Sequence, residues 1–229
     1  MWIARVLTGA VLGVAAAFTA HAQSPWYVSG SIGGYWREDQ GGPTRFTNGV
    51  ITGPGKQTES FDPGPTASAA IGYKLPFRLR LEAEASYIHY TADHVNPLSA
   101  TFPTLNGRAF NLQSGGDYDR YMATANLFYD LPITIAGRIV PYIGGGMGYV
   151  HAHQADSKFV SAAGSLFTMH TQSNNSHAVA LIEGGLTIPL GGAWALVPAY
   201  RYEHLFTDAN IFGDENAHIL KLGVRYSFQ

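Results

Sequence analysis

The sequence predicts an all-β protein, an eight-stranded antiparallel transmembrane up-and-down β-barrel. Three observations carry that expectation. Eight segments alternate apolar with small, polar or charged residues at period two. The connectors between them alternate short and long, as the turns and loops of such a barrel do. Beyond residue 22, no apolar stretch is long enough to cross a membrane as a helix.

Residues 1–22 (MWIARVLTGAVLGVAAAFTAHA) read as a signal peptide. Arg5 supplies the positive end, Val6–Ala17 the apolar stretch, and Ala20, His21 and Ala22 an A-x-A cleavage site. The barrel domain is then 23–229. Its first segment is PWYVSGSIGGYWRE (25–38), followed after a long connector by GPTASAAIGYKL (64–75). Pro76 alone separates that from FRLRLEAEASYIHY (77–90), and a long connector leads to DRYMATANLFYDL (119–131). A short PITIAG stretch precedes GRIVPYIGGGMGYVHAH (137–153), and a long one leads to SHAVALIEGGLTIPL (176–190). Two glycines then join AWALVPAYRYEHLF (193–206), and residues 207–215 lead to NAHILKLGVRYSF (216–228). An even count lets the first and last strands meet with both termini at one end. The long connectors, 39–63, 91–118, 154–175 and 207–215, are rich in Gly, Ser, Thr, Asn and Pro and read as surface loops.

Composition narrows the function classes. The chain has no cysteine, so disulfide scaffolds and thiol-based metal or nucleophile sites are excluded. Without Arg5 the 14 basic residues become 13 against 16 acidic ones, a net charge of -3. No basic run is present, so nucleic acid is not an expected partner. Charged residues make up only 13% of the chain, whereas Gly (27), Tyr (13) and Phe (12) are plentiful. That balance suits a lipid-facing band with aromatic girdles.

The two faces of the segments differ in kind. In the third, Leu79, Leu81, Ala83, Ala85 and Tyr87 share one face, while Arg78, Arg80, Glu82, Glu84 and Ser86 share the other. The fourth sets Tyr121, Ala123, Ala125, Leu127 and Tyr129 against Arg120, Thr124 and Asn126. The seventh sets Trp194, Leu196, Pro198, Tyr200 and Tyr202 against Arg201 and Glu203. The eighth sets Leu220, Leu222, Val224, Tyr226 and Phe228 against Lys221, Arg225 and Ser227. Lipid outside and a narrow polar interior account for both sets. An unpaired charge there is costly, so Arg78, Arg80, Arg120, Arg201, Lys221 and Arg225 are expected to pair with Glu82, Glu84, Glu183 and Glu203. Eight strands leave an interior that side chains can fill, so the lumen should be plugged. Tyr73, Tyr87, Tyr121, Tyr129, Tyr142, Trp194, Tyr202, Tyr226 and Phe228 fall towards strand ends, where girdle rings sit.

The motifs NLFYDLP (126–132), VPYIGGGMGY (140–149), AYRYEHLF (199–206) and the final LKLGVRYSF (220–228), behind a signal peptide, resemble the outer-membrane β-barrel family. That family includes the OmpA-like transmembrane domain and the opacity-type "porin family" surface antigens. The resemblance covers essentially 26–228. It implies the outer membrane of a Gram-negative bacterium, contact with lipid and lipopolysaccharide, and insertion by the barrel assembly machinery. It also implies an assembly signal at the C-terminal aromatic residues, here Tyr226 and Phe228, although Gln229 follows. A monomer with a structural, adhesion or recognition role is the function implied, through an extracellular ligand held by the long loops. A small porin or a lipid A-modifying enzyme is the alternative.

Enzyme chemistry finds little purchase. The candidate Ser–His pairs are His177 with Ser173 or Ser176 and His170 with Ser173, with Ser173 and Ser176 in a polar loop and no metal or oxyanion feature behind them. No catalytic residue and no cofactor is expected. The glycines of GGGMG (144–148) lie in a strand and read as close-packing positions, not a phosphate cradle. The mature histidines all fall near the long-loop end. Among them His151 and His153 share a strand face, and His177 opens the next segment. Together they form a possible metal-binding or pH-responsive rim.

Overall fold

The computed structural model describes residues 24–47, 52–100, 110–154, 157–161, 166–169, 173–206 and 215–228; the segment read as a signal peptide lies outside them. Its strands in chain order are β1 (Trp26–Arg37), β2 (Gln40–Thr47), β3 (Thr52–Asp62), β4 (Gly64–Lys74) and β5 (Leu79–Ala100). Next come β6 (Phe110–Gly115), β7 (Asp117–Asp130), β8 (Val140–Gln154), β9 (Ser157–Ser161) and β10 (Leu166–Met169). The last are β11 (Ser173–Gly191), β12 (Trp194–Phe206) and β13 (Glu215–Ser227). Eight of these close a ring in the order β1, β4, β5, β7, β8, β11, β12, β13 and back to β1, every pair antiparallel. This is the up-and-down barrel that period-two alternation predicts.

The strands outrun the expected segments at the long-loop end. β5 has 22 residues, roughly 70 Å of extended chain, where a membrane crossing takes only about 9–11. The connectors read as irregular loops contain β2, β3, β6, β9 and β10. The β2–β3 hairpin lies against the far part of β5, and β6 joins β5 to the β9–β10 hairpin. The sheet therefore continues beyond the barrel as a wall.

At the opposite end the connections are tight. The β4–β5 turn puts Phe77 (φ 62°) and Arg78 (φ 64°) in the left-handed region, with Leu75 N–H bonded to Leu79 O at 2.8 Å. Two-residue hairpin turns match strand twist with positive φ at both central positions or at the first alone. The β11–β12 turn, closed by the Gly191–Trp194 pair, puts Gly192 (φ 57°) at its first central position, and Gly191 before it also takes positive φ, neither with a Cβ to penalise. The β7–β8 connection is longer and folds on itself through an Ile135–Ile139 bridge.

Alternation sorts the side chains. On β7, Tyr121, Ala123, Ala125, Leu127 and Tyr129 face out, and Arg120, Met122, Thr124, Asn126 and Phe128 are buried. Tyr121 and Tyr129 stand eight residues apart, roughly 27 Å along the strand, which tilt shortens towards the height of an apolar bilayer band. Trp26, Tyr73, Tyr129, Trp194 and Tyr226 form the girdle at the turn end. Trp36, Tyr87, Tyr121, Tyr149 and Tyr200 form the other. Tyr142, expected in a girdle, is buried in the lumen. Phe228, expected on the lipid face, follows the end of β13 and is 8% exposed, its ring edge-on to Tyr226 at 5.4 Å.

β8 turns Gly144, Gly146 and Gly148 inward, beside β7. A Cβ on Gly148 would lie 1.9 Å from the Ala123 carbonyl oxygen, and one on Gly146 would meet the Asn126 amide. Close approach of two backbones explains this glycine row. Two seams further round the ring, β11–β12 pairing lapses between Gly185–Ala199 and Ile188–Leu196, where Pro198 has no N–H to give.

Candidate functional site

The candidate site is the lumen. Inward positions on five strands place six cationic side chains there: Arg37 of β1, Arg80 of β5, Arg120 of β7, Arg201 of β12, and Lys221 and Arg225 of β13. Six carboxylates meet them: Glu82 and Glu84 of β5, Asp130 of β7, Glu183 of β11, Glu203 of β12 and Glu215 of β13. They stack in three layers along the barrel axis.

The middle layer crosses the lumen. Arg201 bonds both oxygens of Glu84 from Nη1 and Nη2, at 2.6 and 2.8 Å. It also reaches Glu183 Oε2 from Nε at 2.8 Å. Lys221 Nζ bridges the same two carboxylates at 3.0 and 2.9 Å. β12 and β5 lie on opposite sides of the ring, so the Arg201–Glu84 pair spans it. Tyr142 donates to Glu183 and Ser86 to Glu84, each at 2.8 Å. Both Arg201 and Glu203 are 1% exposed, and charges so buried need partners: Arg201 is hydrogen-bonded to two carboxylates, whereas Glu203 Oε1 has only the 3.6 Å ion pair to Arg201 and accepts no hydrogen bond.

Towards the turn end, Arg80 holds Asp130 from Nε at 3.0 and 3.2 Å and donates to the Tyr27 hydroxyl. Its guanidinium lies 4.8 Å from the Tyr142 ring centre and 5.1 Å from that of Phe128. Arg225 covers Tyr27 at 4.9 Å and donates to Thr187. Between this layer and the middle one is a cavity of about 20 Å³ lined by Ser29, Ser31, Ser68, Glu82, Lys221 and Arg225, among others. Such a volume holds about one water.

Towards the long-loop end, Glu215 is held by Arg37 at 2.8 Å and by Arg120 from across the ring. Arg37 also lies 3.9 Å above Phe61, which packs edge-on to the stacked pair Tyr90 and Tyr118. Arg120 donates to Tyr35 at 2.9 Å. Here the interior departs from a purely polar lumen. Apolar clusters fill it between and above the charges: Met122, Val150, Val179 and Leu205, then Tyr35, Ile88, Tyr90, Ala92, Tyr118, Ala217 and Ile219. Layers of hydrocarbon around an ion network keep water off the ion pairs.

The structure gathers Arg80, Glu82, Glu84, Arg120, Glu183, Arg201, Glu203, Lys221 and Arg225 in this interior. Arg78 is not among them. It is exposed in the β4–β5 turn and donates to the Leu131 carbonyl at 3.4 Å, because the turn takes Phe77 and Arg78 out of the strand. Sequence reasoning missed Arg37, Asp130 and Glu215. Asp130 was legible, since period two puts it on the face of Arg120; Arg37 and Glu215 lie at strand ends where the pattern fades.

The histidine rim does not converge. His151 and His153 face outward on β8, whereas His177 pairs with inward-facing Val150 and so lies on the inner face. The barrel wall stands between them. Among the described residues, no group of three His, Cys, Asp or Glu side chains is placed to hold a metal ion. Ser176 bonds His151 at 3.1 Å, not His177, and His170 lies outside the described residues.

Comparison with known proteins agrees with this architecture. The sequence profile of the outer membrane protein beta-barrel domain matches residues 6–228. Outer membrane protein OprG from Pseudomonas aeruginosa is similar over 91% of this chain and 98% of its own, with 12% identity and a TM-score of 0.56. Neisserial surface protein A is similar over 90% and 98%, with 16% identity and a TM-score of 0.45. Ail, the attachment invasion locus protein of Yersinia pestis, is similar over 90% and 100%, with 14% identity and a TM-score of 0.37. The OprG likeness speaks for the fold alone. No curated protein sequence matches the chain.

Proposed function

Since the chain belongs to the outer membrane protein β-barrel family, and so to the outer membrane, we propose that it is a closed surface barrel whose recognition or adhesion role resides at its long-loop end. The observation that carries this reading is the Arg201–Glu84 pair across the lumen, with Glu183 and Lys221 completing the layer. A conduit needs a continuous water path, and a cavity with room for about one water does not make one. The extension of β5 and the β2–β3 and β9–β10 hairpins supports the second half of the reading. Chain carried well past the membrane band serves no purpose in spanning, and loop-end structure is where barrels of this kind meet partners. An extracellular ligand at that end, lipopolysaccharide against the outer wall, insertion by the barrel assembly machinery through Tyr226 and Phe228, and a monomeric state complete the proposal.

The test is planar-bilayer recording of the refolded chain. No stable single-channel steps are expected for the wild type. Persistent open steps would overturn the closed barrel and favour a small porin.

A further inference from the structure

The turn end of the barrel exposes apolar and cationic side chains together. Phe77, in the β4–β5 turn, is 88% exposed, and Ile133 and Ile135 of the β7–β8 connection are 56% and 50% exposed. Arg78 in the same turn, Arg138 in the same connection and Lys74 at the end of β4 are exposed beside them. The two connections lie side by side, tied by the Arg78 bond to the Leu131 carbonyl and by Asp130 N–H on Arg78 O at 2.9 Å. Among the described residues, Asp130 is the carboxylate at this rim, and Arg80 already holds it. Lys74 Nζ donates to a neutral partner, the Ser227 hydroxyl, at 2.9 Å. The opposite end has the reverse sign: its exposed charges, among the described residues, are the carboxylates Glu38, Asp39, Asp62, Asp93 and Asp117.

We propose that the turn end is a docking surface for anionic phospholipid headgroups, those of the inner leaflet when the short turns face the periplasm. Depth favours lipid over a soluble partner. Leu79 pairs with Tyr129 of the girdle, so Phe77, two residues away, lies within roughly 7 Å of the ring level. A headgroup layer is itself roughly 5–8 Å deep, so the β4–β5 turn sits inside it. Apolar side chains with Lys and Arg beside them suit that layer, the first reaching towards acyl chains and the second towards phosphates. Charge selects the lipid. Three cations with no free carboxylate among the described residues favour a net negative headgroup over a zwitterionic one, each cation near such a surface being worth roughly five-fold in partition. The surface is independent of whether the lumen conducts and of any ligand at the long-loop end.

The tryptophans provide a reporter at each end: Trp26 and Trp194 stand in the turn-end girdle and Trp36 in the other. The experiment is fluorescence quenching of refolded 23–229 in phosphatidylcholine vesicles, with brominated phosphatidylglycerol or brominated phosphatidylcholine as quencher. A Trp36→Phe variant reads the turn end, and Trp26→Phe with Trp194→Phe reads the long-loop end. At the turn end, phosphatidylglycerol should be selected by roughly five-fold or more, and about 1 M salt should erase the preference. Trp36 should show none. Lys74→Gln, Arg78→Gln and Arg138→Gln together should bring the turn end to parity, with each single substitution lowering the preference; heat-modifiable gel mobility reports which variants are folded. Parity at the turn end of the unsubstituted surface, as a soluble partner would leave it, would overturn the proposal. So would a preference that survives the substitutions in folded protein, or an equal preference at Trp36.

Discussion

Arg201 touches three carboxylates, Glu84, Glu183 and, at 3.6 Å, Glu203. Its removal strands two of them in a buried layer with Lys221 as the nearby cation. Breaking a buried pair by deleting one member costs about 3–5 kcal/mol, whereas replacing both with apolar residues is often close to neutral. Arg201→Met should therefore lower the urea midpoint of the refolded barrel by an amount equivalent to about 3–5 kcal/mol. Arg201→Met with Glu84→Leu should recover a large part of it, since Lys221 and Glu183 then remain as a pair. Equal stability of the single variant and the wild type would show that the cross-lumen bonds contribute nothing. The six cations and six carboxylates were partly legible in sequence, because lipid demands apolar residues at every second position and leaves the others visible as charges. Their partners were not, since alternation names a face and not which strand lies opposite.

Among the elements, the β4–β5 turn is the one at odds with its own residues. Phe77 and Arg78 both adopt positive φ, where a side-chain-bearing residue costs of order 1–2 kcal/mol relative to its preferred regions. Arg78 gives back only a long hydrogen bond to Leu131. Arg78→Gly is expected to raise the urea midpoint by an amount equivalent to about 0.5–1 kcal/mol; a fall would mean that the Leu131 contact outweighs the backbone strain. The same turn explains why FRLRLEAEASYIHY enters the barrel two residues late. Sequence reading succeeded for β4, β5, β7, β12 and β13, where lipid imposes alternation. It failed for β2 and β3, whose QGGPTRFT and TGPGKQTESFD carry turn residues and no apolar face. Beyond the bilayer, strands pair through their backbones with no hydrocarbon to dictate side chains, so they read as loop. Pro198 shows the converse. Its apolar character fits the lipid face, but the missing N–H leaves a gap in the β11–β12 ladder that a hydrophobic pattern cannot register.

At the scale of the molecule, two of the three layers in the lumen tie early strands to late ones. Glu84 on β5 meets Arg201 on β12, and Arg120 on β7 meets Glu215 on β13. A chain ending after β11 keeps Glu84, Glu183 and Arg120 without those partners. Such a truncated chain, placed in lipid vesicles, is expected to show no heat-modifiable folded band and to be digested by added protease; a protected, folded band would contradict this. The pairing across the ring also sets an order of events. Intermediates with an incomplete circle expose ions to hydrocarbon, so they are uphill until the final hairpin arrives, and the membrane admits the finished ring far more readily than its parts. The salt bridges would thus act as a check on closure: a barrel that mispairs its last strands leaves buried charges without partners and has no favourable resting place in lipid.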